Sequence, residues 1–181
     1  MSLKELTAEK HTIAESTPFM KAVFAKKLPR KLWIDWTFQK SLFYGTIEHA
    51  ADELGLLKDL PNIRRVEKIQ EDYLAMNPKS PEQIKFQHHL ETTQYHAYIR
   101  SIKDDPERIM AHLYTWHMGD LFGGQMIKKL IDAPHSSLDF EDPKTLMTNI
   151  RAKLDDSMGD EANIAFDWAI RMMKEYDRDL G

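Results

Sequence analysis

Apolar residues recur along most of this chain at intervals of three and four, and no stretch keeps the alternation of β-branched residues that a strand needs. The pattern predicts helices throughout. The first starts at Ser2, whose spacing to Glu5 is that of a capping box, and ends before Pro18. A short apolar element, FMKAVF, leads to Pro29, and a long helix covers residues 30–54, stopped by Gly55. Pro61 opens a helix over 62–76, closed by Asn77-Pro78, and Pro81 opens another that runs to 103. Asp105-Pro106 supplies an N-cap with proline in the first helical position, so 106–131 reads as one helix. Two more follow over 143–156 and 160–178. The expected architecture is all-α, seven or eight helices in a single domain spanning residues 1–181.

One of these helices contains HMGDLFGGQM, His117 to Met126, with Gly119, Asp120, Gly123 and Gly124 close together. Each glycine in a helix interior costs about 1 kcal/mol relative to alanine, so backbone must be wanted here more than side chain. On a helical wheel the four residues fall within an arc of about 140°. Two readings follow. Gly-x-x-x-Gly spacing lets two helices approach closely, or a flat ligand lies on exposed main chain, with a kink at the glycine pair. Asp120 favours the ligand. Packed against another helix, its carboxylate would be buried without obvious compensation, whereas beside a cavity holding water it would be solvated. A phosphate loop is excluded, because Gly-Gly-Gln is followed by Met126 and Ile127 and no strand precedes it.

The first helix, LKELTAEKHTIAE, places Lys4 and His11 on one stripe, roughly 10 Å apart along the axis. Glu15, one turn beyond His11, is where a carboxylate can hydrogen-bond an imidazole, as the partner of a metal-bound histidine often does. A surface histidine with an ordinary i,i+4 neighbour has the same spacing.

Composition narrows the chemistry. Hydrophobic residues make up 42% and charged residues 30% of 181, an ordinary globular balance. A formal charge of −4 argues against a nucleic-acid or membrane-surface partner. No run approaches the length of a membrane span, and the charged N-terminus is no secretory signal, so a cytoplasmic protein is expected. The absence of cysteine removes disulfides, thiolate metal ligands, iron–sulfur clusters and a cysteine nucleophile. Any metal must therefore use histidines, carboxylates or a bound cofactor.

LKELTAEKHTIAESTPFM resembles the opening helix of heme oxygenases, and YTWHMGDLFGGQMIKKL resembles their distal helix, whose usual core is GDLSGGQ. The resemblance extends more weakly through LPNIRR and the last two helices. It implies a fold in which heme b is sandwiched between the first helix and a kinked glycine-containing helix. The implied reaction is oxidative opening of the ring by O2 and electrons, giving biliverdin, CO and Fe2+. By matching positions, His11 is the axial iron ligand and Glu15 its partner. Gly119, Gly123 and Gly124 let the distal backbone close over the heme, and Asp120 organises distal waters and delivers a proton to the activated oxygen. Lys4, Tyr114 and Arg151 match residues that hold the propionates; on an ideal wheel Tyr114 falls off the glycine arc. Phe166 and Met173 are candidates for the apolar wall of the pocket, and equally for the core, where the four tryptophans, Phe38 and Phe43 are expected. The external electron donor implied is a ferredoxin or a reductase, and the protein is expected to be a monomer. A heme carrier or sensor of the same fold without turnover is the alternative.

The chain departs from the family pattern at Phe122, usually serine, at Trp116 and His117, usually an arginine and an aromatic, and at Met147, often a propionate-binding lysine that Lys144 would replace. These positions bear on heme orientation, and so on the biliverdin isomer made. The sequence, which runs to Gly181 with no apolar tail, is expected to resemble the soluble microbial members more than the animal ones. Elsewhere, the histidines of QHHLETTQYHAY lack metal-ligand spacing and read as a solvated or core-edge cluster, with His88 and Glu91 as the only close pair. His112 is a minor alternative iron ligand. Lys26, Lys27, Arg30 and Lys31, with Lys128 and Lys129, form basic clusters, read as solvated surface or as a docking patch for an acidic electron donor.

Overall fold

Local capping chemistry starts four of the eleven α-helices found among the described residues. In the computed structural model, which describes residues 1–77 and 89–181, the Ser2 N–H donates to Glu5 at 2.7 Å and the Ser2 hydroxyl accepts from the Glu5 N–H, closing the expected box. Thr17, Asp105 and Asp142 each accept from the N–H three residues on, with proline at the following position. The helices are α1 (Leu3–Leu6), α2 (Ala8–Glu15), α3 (Pro18–Phe24), α4 (Arg30–Glu53), α5 (Val66–Met76), α6 (Leu90–Ser101), α7 (Pro106–Leu113), α8 (Gly119–Leu130), α9 (Pro143–Arg151), α10 (Gly159–Lys174) and α11 (Asp177–Leu180). A π turn, Tyr114–Met118, joins α7 to α8, and a 3-10 turn, Ser136–Leu138, follows α8. Among the described residues there is no strand.

Several boundaries differ from the sequence expectation: among them, the helix expected over 143–156 ends at Arg151, and the one expected over 160–178 ends at Lys174, with a separate short turn of helix after it. The first helix is broken at Thr7, whose buried hydroxyl donates to the Leu3 carbonyl at 2.9 Å and competes with the backbone ladder. The helix expected from residue 62 starts at Val66, because Asn62 adopts φ 61° and the cap comes from Glu48 of α4, far away in sequence. The helix expected from Pro81 is seen as α6 from Leu90; its proposed start, Pro78 and His88 lie outside the described residues. The segment 106–131 is not α-helical throughout, since the π turn interrupts it.

α4 is the central element, packed against α5, α6 and α7, while α10 packs on α2, α3, α6 and α7. Phe43, Tyr44 and Ile47 of α4, Tyr95 and Ile99 of α6, and Ile109 and Leu113 of α7 are fully buried. Trp36, Phe43, Tyr95 and Trp116 form an aromatic cluster at its centre, with Phe43 and Trp116 rings 4.4 Å apart. Trp36, Phe38 and Phe43 are core as expected, and the other three tryptophans are partly buried against it. α1 reaches α10 closely because residue 159 is glycine: a Cβ there would lie 2.9 Å from Leu6 Cδ1.

Two buried carboxylates organise the polar interior. Glu48 accepts from the Arg65 N–H at 2.6 Å, the Val66 N–H at 3.2 Å and His117 Nε2 at 2.9 Å, tying α4 to the start of α5 and to the π turn. Glu161 of α10 receives His112 Nε2 at 2.8 Å, Tyr98 at 2.5 Å and Arg108 at 3.0 Å. Burial alone would raise the Glu161 carboxyl, but these donors from His112, Tyr98 and Arg108 hold it at about 2. Burial pushes His112 below its ordinary value, in keeping with a neutral ring that accepts from Tyr95 and donates to Glu161. Both folded values are depressed, so both groups stabilise the fold above their unfolded values and lose that contribution as pH falls.

Glu161→Gln is therefore expected to cost about 2–3 kcal/mol at pH 7 and to flatten the loss of stability between the ordinary 4.5 and about 2. Urea unfolding across that range checks it. Parallel acid limbs for the two proteins would show that the carboxylate is not the source.

Candidate functional site

The distal segment is built from the π turn and α8. A π turn bonds residue i to i+5, taking more residues per turn than an α-helix, and such turns concentrate at functional sites. The extra residue brings Tyr114 onto the cavity-lining side together with Gly119 and Asp120, which an ideal α-wheel does not do. The departure from α geometry thus precedes the glycines, where the sequence suggested a kink at the Gly123-Gly124 pair, and α8 runs unbroken through that pair. Gly119 and Gly123 face open space: a Cβ on either would meet nothing within 4 Å. Gly124 differs, since a Cβ there would come 3.3 Å from Leu138 of the 3-10 turn. The glycine face is not a helix–helix contact. It forms one wall of a cavity of about 1050 Å³, at the upper end of the usual range for small-molecule and cofactor sites.

α1 and α2 contribute Lys4, His11 and Glu15 to the same cavity, and α9 and α10 contribute Arg151, Phe166 and Met173. The sequence reading thus converges: Lys4, His11, Glu15, Tyr114, Gly119, Asp120, Gly123, Gly124, Arg151 and Phe166 all line this one space. The Phe166 ring meets the His11 ring edge-on at 5.7 Å, and Lys10 bonds Asp167 at 2.6 Å, so α10 fixes the face that α2 presents. His11 stays 57% exposed at its side chain, free to take a ligand. Its Nε2 lies 3.7 Å from Glu15, an ionic neighbour too distant for the expected hydrogen bond. Burial raises the Tyr114 hydroxyl, while the Thr7 hydrogen bond and the Arg151 charge draw it back.

Asp120 has partners that the sequence did not announce. Lys40 Nζ donates to both carboxylate oxygens, at 2.8 and 2.9 Å, and the Tyr44 hydroxyl donates to Oδ2 at 2.7 Å. Burial, then the adjacent Asp120 charge, push the Tyr44 phenol well above its ordinary value, so it remains a donor. The expectation that a carboxylate on a packed helix would lack compensation is corrected: α4 supplies a cation and a hydroxyl one turn apart. Nothing local in the α4 sequence marks Lys40 as facing a residue 80 positions away.

The family departures are distributed as follows. Phe122 lines the cavity but is 60% exposed, with the Arg151 guanidinium 5.6 Å over its ring. Trp116 lines the cavity and donates to Tyr95 at 3.0 Å. His117 is fully buried behind it, bonded to Glu48 and the Leu113 carbonyl, and is absent from the lining. Neither Met147 nor Lys144 lines the cavity. His112, held between Tyr95 and Glu161, is also remote from it, which removes the alternative iron ligand. In the α6 histidine cluster, His89 bonds Asp35 at 2.9 Å and Glu175 at 2.8 Å, and His96 bonds Thr46 at 2.7 Å. Among the described residues no group of histidines and carboxylates is placed to hold a metal ion.

A family model described as heme oxygenase matches residues 1–148. The heme oxygenase of Porphyra purpurea is 29% identical over 98% of this chain and 86% of its own length. Heme oxygenase 1 of a Nostoc species is 27% identical over 96% and 84%. The crystal structure of Synechocystis heme oxygenase-1 in complex with heme superposes with a TM-score of 0.87 at 22% identity, covering 98% of this chain and 91% of that one. The heme oxygenase of Leptospira interrogans gives 0.85 at 23%, covering 97% and 100%. Among the described residues no helix is long and apolar enough to cross a membrane. With the π turn, the glycine wall and the histidine-bearing helix all bounding one cavity, the chain belongs to the heme oxygenase family.

Proposed function

We propose that this protein binds heme b in the cavity between α2 and α8 and opens the ring with O2 and electrons from a reduced donor, releasing biliverdin, CO and Fe2+. The observation that carries this reading is the convergence of an exposed imidazole and bare main chain on one cavity. The residues present fit the group. A flat macrocycle needs a wall without side chains, which Gly119 and Gly123 provide, and an axial nitrogen, which His11 offers. Lys4, Tyr114 and Arg151 supply a cationic and hydroxyl lining for two carboxylates. Heme, when bound, supplies the iron that activates O2 and the carbon that is attacked.

The chain's own groups then have distinct tasks. His11 would hold the iron of the bound heme. Gly119 and Gly123, which carry no side chain into the cavity, would let main chain lie close to a flat ligand and restrict the space left for oxygen. Asp120, anchored from α4, keeps lone pairs available to order water and pass a proton into the cavity. Arg30 Nη1 bonds the Asp132 carbonyl at 2.8 Å, which brings the start of α4, with the basic Lys26 and Lys27 before it and Arg30 and Lys31 in it, to the end of α8, the helix that carries Lys128 and Lys129. That joined surface suits docking of an acidic ferredoxin-type donor, whose encounter charge would steer.

His11→Ala is expected to abolish the iron–histidine stretch in the resonance Raman spectrum of the hemin complex; an unchanged stretch would refute the ligand assignment. Asp120→Asn should still bind hemin yet form bilin at least about tenfold more slowly, since proton transfer of this kind contributes at least that much. Bilin absorbance during reduction under O2 reads the rate, and unimpaired formation would remove the proton-delivery role. A Soret band that stays constant in the unaltered protein during the same reduction would instead indicate a carrier. Lys27→Glu with Lys31→Glu should slow ferredoxin-supported turnover severalfold at low salt, with the difference shrinking as ionic strength rises. Equal rates at low salt would place the donor elsewhere.

A further inference from the structure

Lys40 is a cavity-lining cation whose pairing with Asp120 goes beyond compensating a buried charge. Its ammonium and the Asp120 carboxylate are only 13% and 14% exposed at their side chains, so the pair is shielded from the screening that weakens surface ion pairs. Two contacts from one ammonium, at 2.8 and 2.9 Å, fix the plane of the carboxylate, and the Tyr44 hydroxyl at 2.7 Å adds a third restraint. Tyr44 is itself held from behind: its ring packs 4.7 Å from that of His117, which Glu48 bonds in turn. Arg65 lies close enough to Glu48 and Asp120 to feel their charges. The Trp116 carbonyl, 3.0 Å from the Tyr44 hydroxyl, can only share the single phenol proton that Asp120 also receives, and offers no charge on this wall.

We propose that Lys40 is a positioning residue which sets both the orientation of Asp120 and the net charge of the cavity wall above the heme. The proposal rests on heme binding in this cavity. With Lys40 present, the wall carries a paired anion and cation whose fields largely cancel at a distance. Without Lys40, an uncompensated carboxylate would face any anion entering the cavity, and the wall would turn negative. With Lys40 but without the Asp120 charge, it would turn positive. A residue that served only as packing would not move the cavity charge in opposite directions.

The test uses hemin-loaded protein and azide as the probe, with the Soret shift reporting binding and the acid–alkaline transition giving a second readout. Lys40→Met is expected to weaken azide about tenfold and raise the transition midpoint by about one pH unit, the size of a nearby charge effect. Asp120→Asn should do the opposite. The Lys40→Met/Asp120→Asn double variant carries neither charge, so it avoids an unpaired buried ion and should return both readouts close to those of the unaltered protein. Lys40→Arg should retain them within about twofold, since a guanidinium can also engage both oxygens. Should Lys40→Met fail to fold, Asp120→Asn against the double variant isolates the same cation. Equal azide affinity and equal midpoints in that pair would overturn the proposal. Failure of the unaltered protein to take up hemin would overturn the heme reading and this inference with it, whereas normal uptake with charge-independent readouts sinks the Lys40 role alone.

Discussion

A helix that presents bare main chain to a cavity can be restrained only from its other faces, and that condition shapes much of this molecule. Gly119 and Gly123 touch nothing on the cavity side. Everything that fixes α8 therefore comes from behind or beside it. Leu121 is buried in the core, Gly124 lets Leu138 close against the helix, and Asp120 is clasped by Lys40 and Tyr44. The glycines weaken the helix by roughly 1 kcal/mol each, and these tertiary contacts offset that loss.

The π turn and the buried carboxylates belong to the same arrangement. Glu48 holds His117 within the turn and also starts α5, so a single side chain links the entry of the distal segment to the central helix. Glu161 anchors His112 one helix earlier, and through Tyr95 the bonding reaches Trp116 on the cavity lining. Burying such charges is costly unless each is paired and fully bonded. Here the donors to Glu48 and Glu161 come from the start of α5, from α6, from α7 and from the π turn, so each carboxylate ties several elements together and the cost of misplacing any of them is high.

The site was legible in the sequence to the extent that its chemistry is local. The box at Ser2, the caps at Asp105 and Asp142, and the cluster of glycines around Asp120 are patterns within a few residues of each other, and each has a direct physical reading. His11 and Lys4 share a stripe through helical spacing alone, despite the interruption at Thr7. Tyr114 shows where the reasoning stopped. A wheel assumes constant α geometry, and a single π turn moves every residue on its far side. Lys40 and Tyr44 stop it more firmly, since nothing near them in sequence says which helix they will meet.

From the amino-acid order alone came the helical class, most of the helix starts, the exclusion of thiol chemistry and the two segments bearing the key groups. These follow from interactions spanning three or four positions, which any isolated stretch already carries. The tertiary structure decided that those segments enclose one cavity, that Gly124 packs while its neighbours Gly119 and Gly123 stay open, and that a lysine from α4 balances the cavity carboxylate. Such outcomes depend on packing between elements far apart in the chain, where the energy of a contact is set by shape and pairing in space and leaves no periodic trace in the sequence.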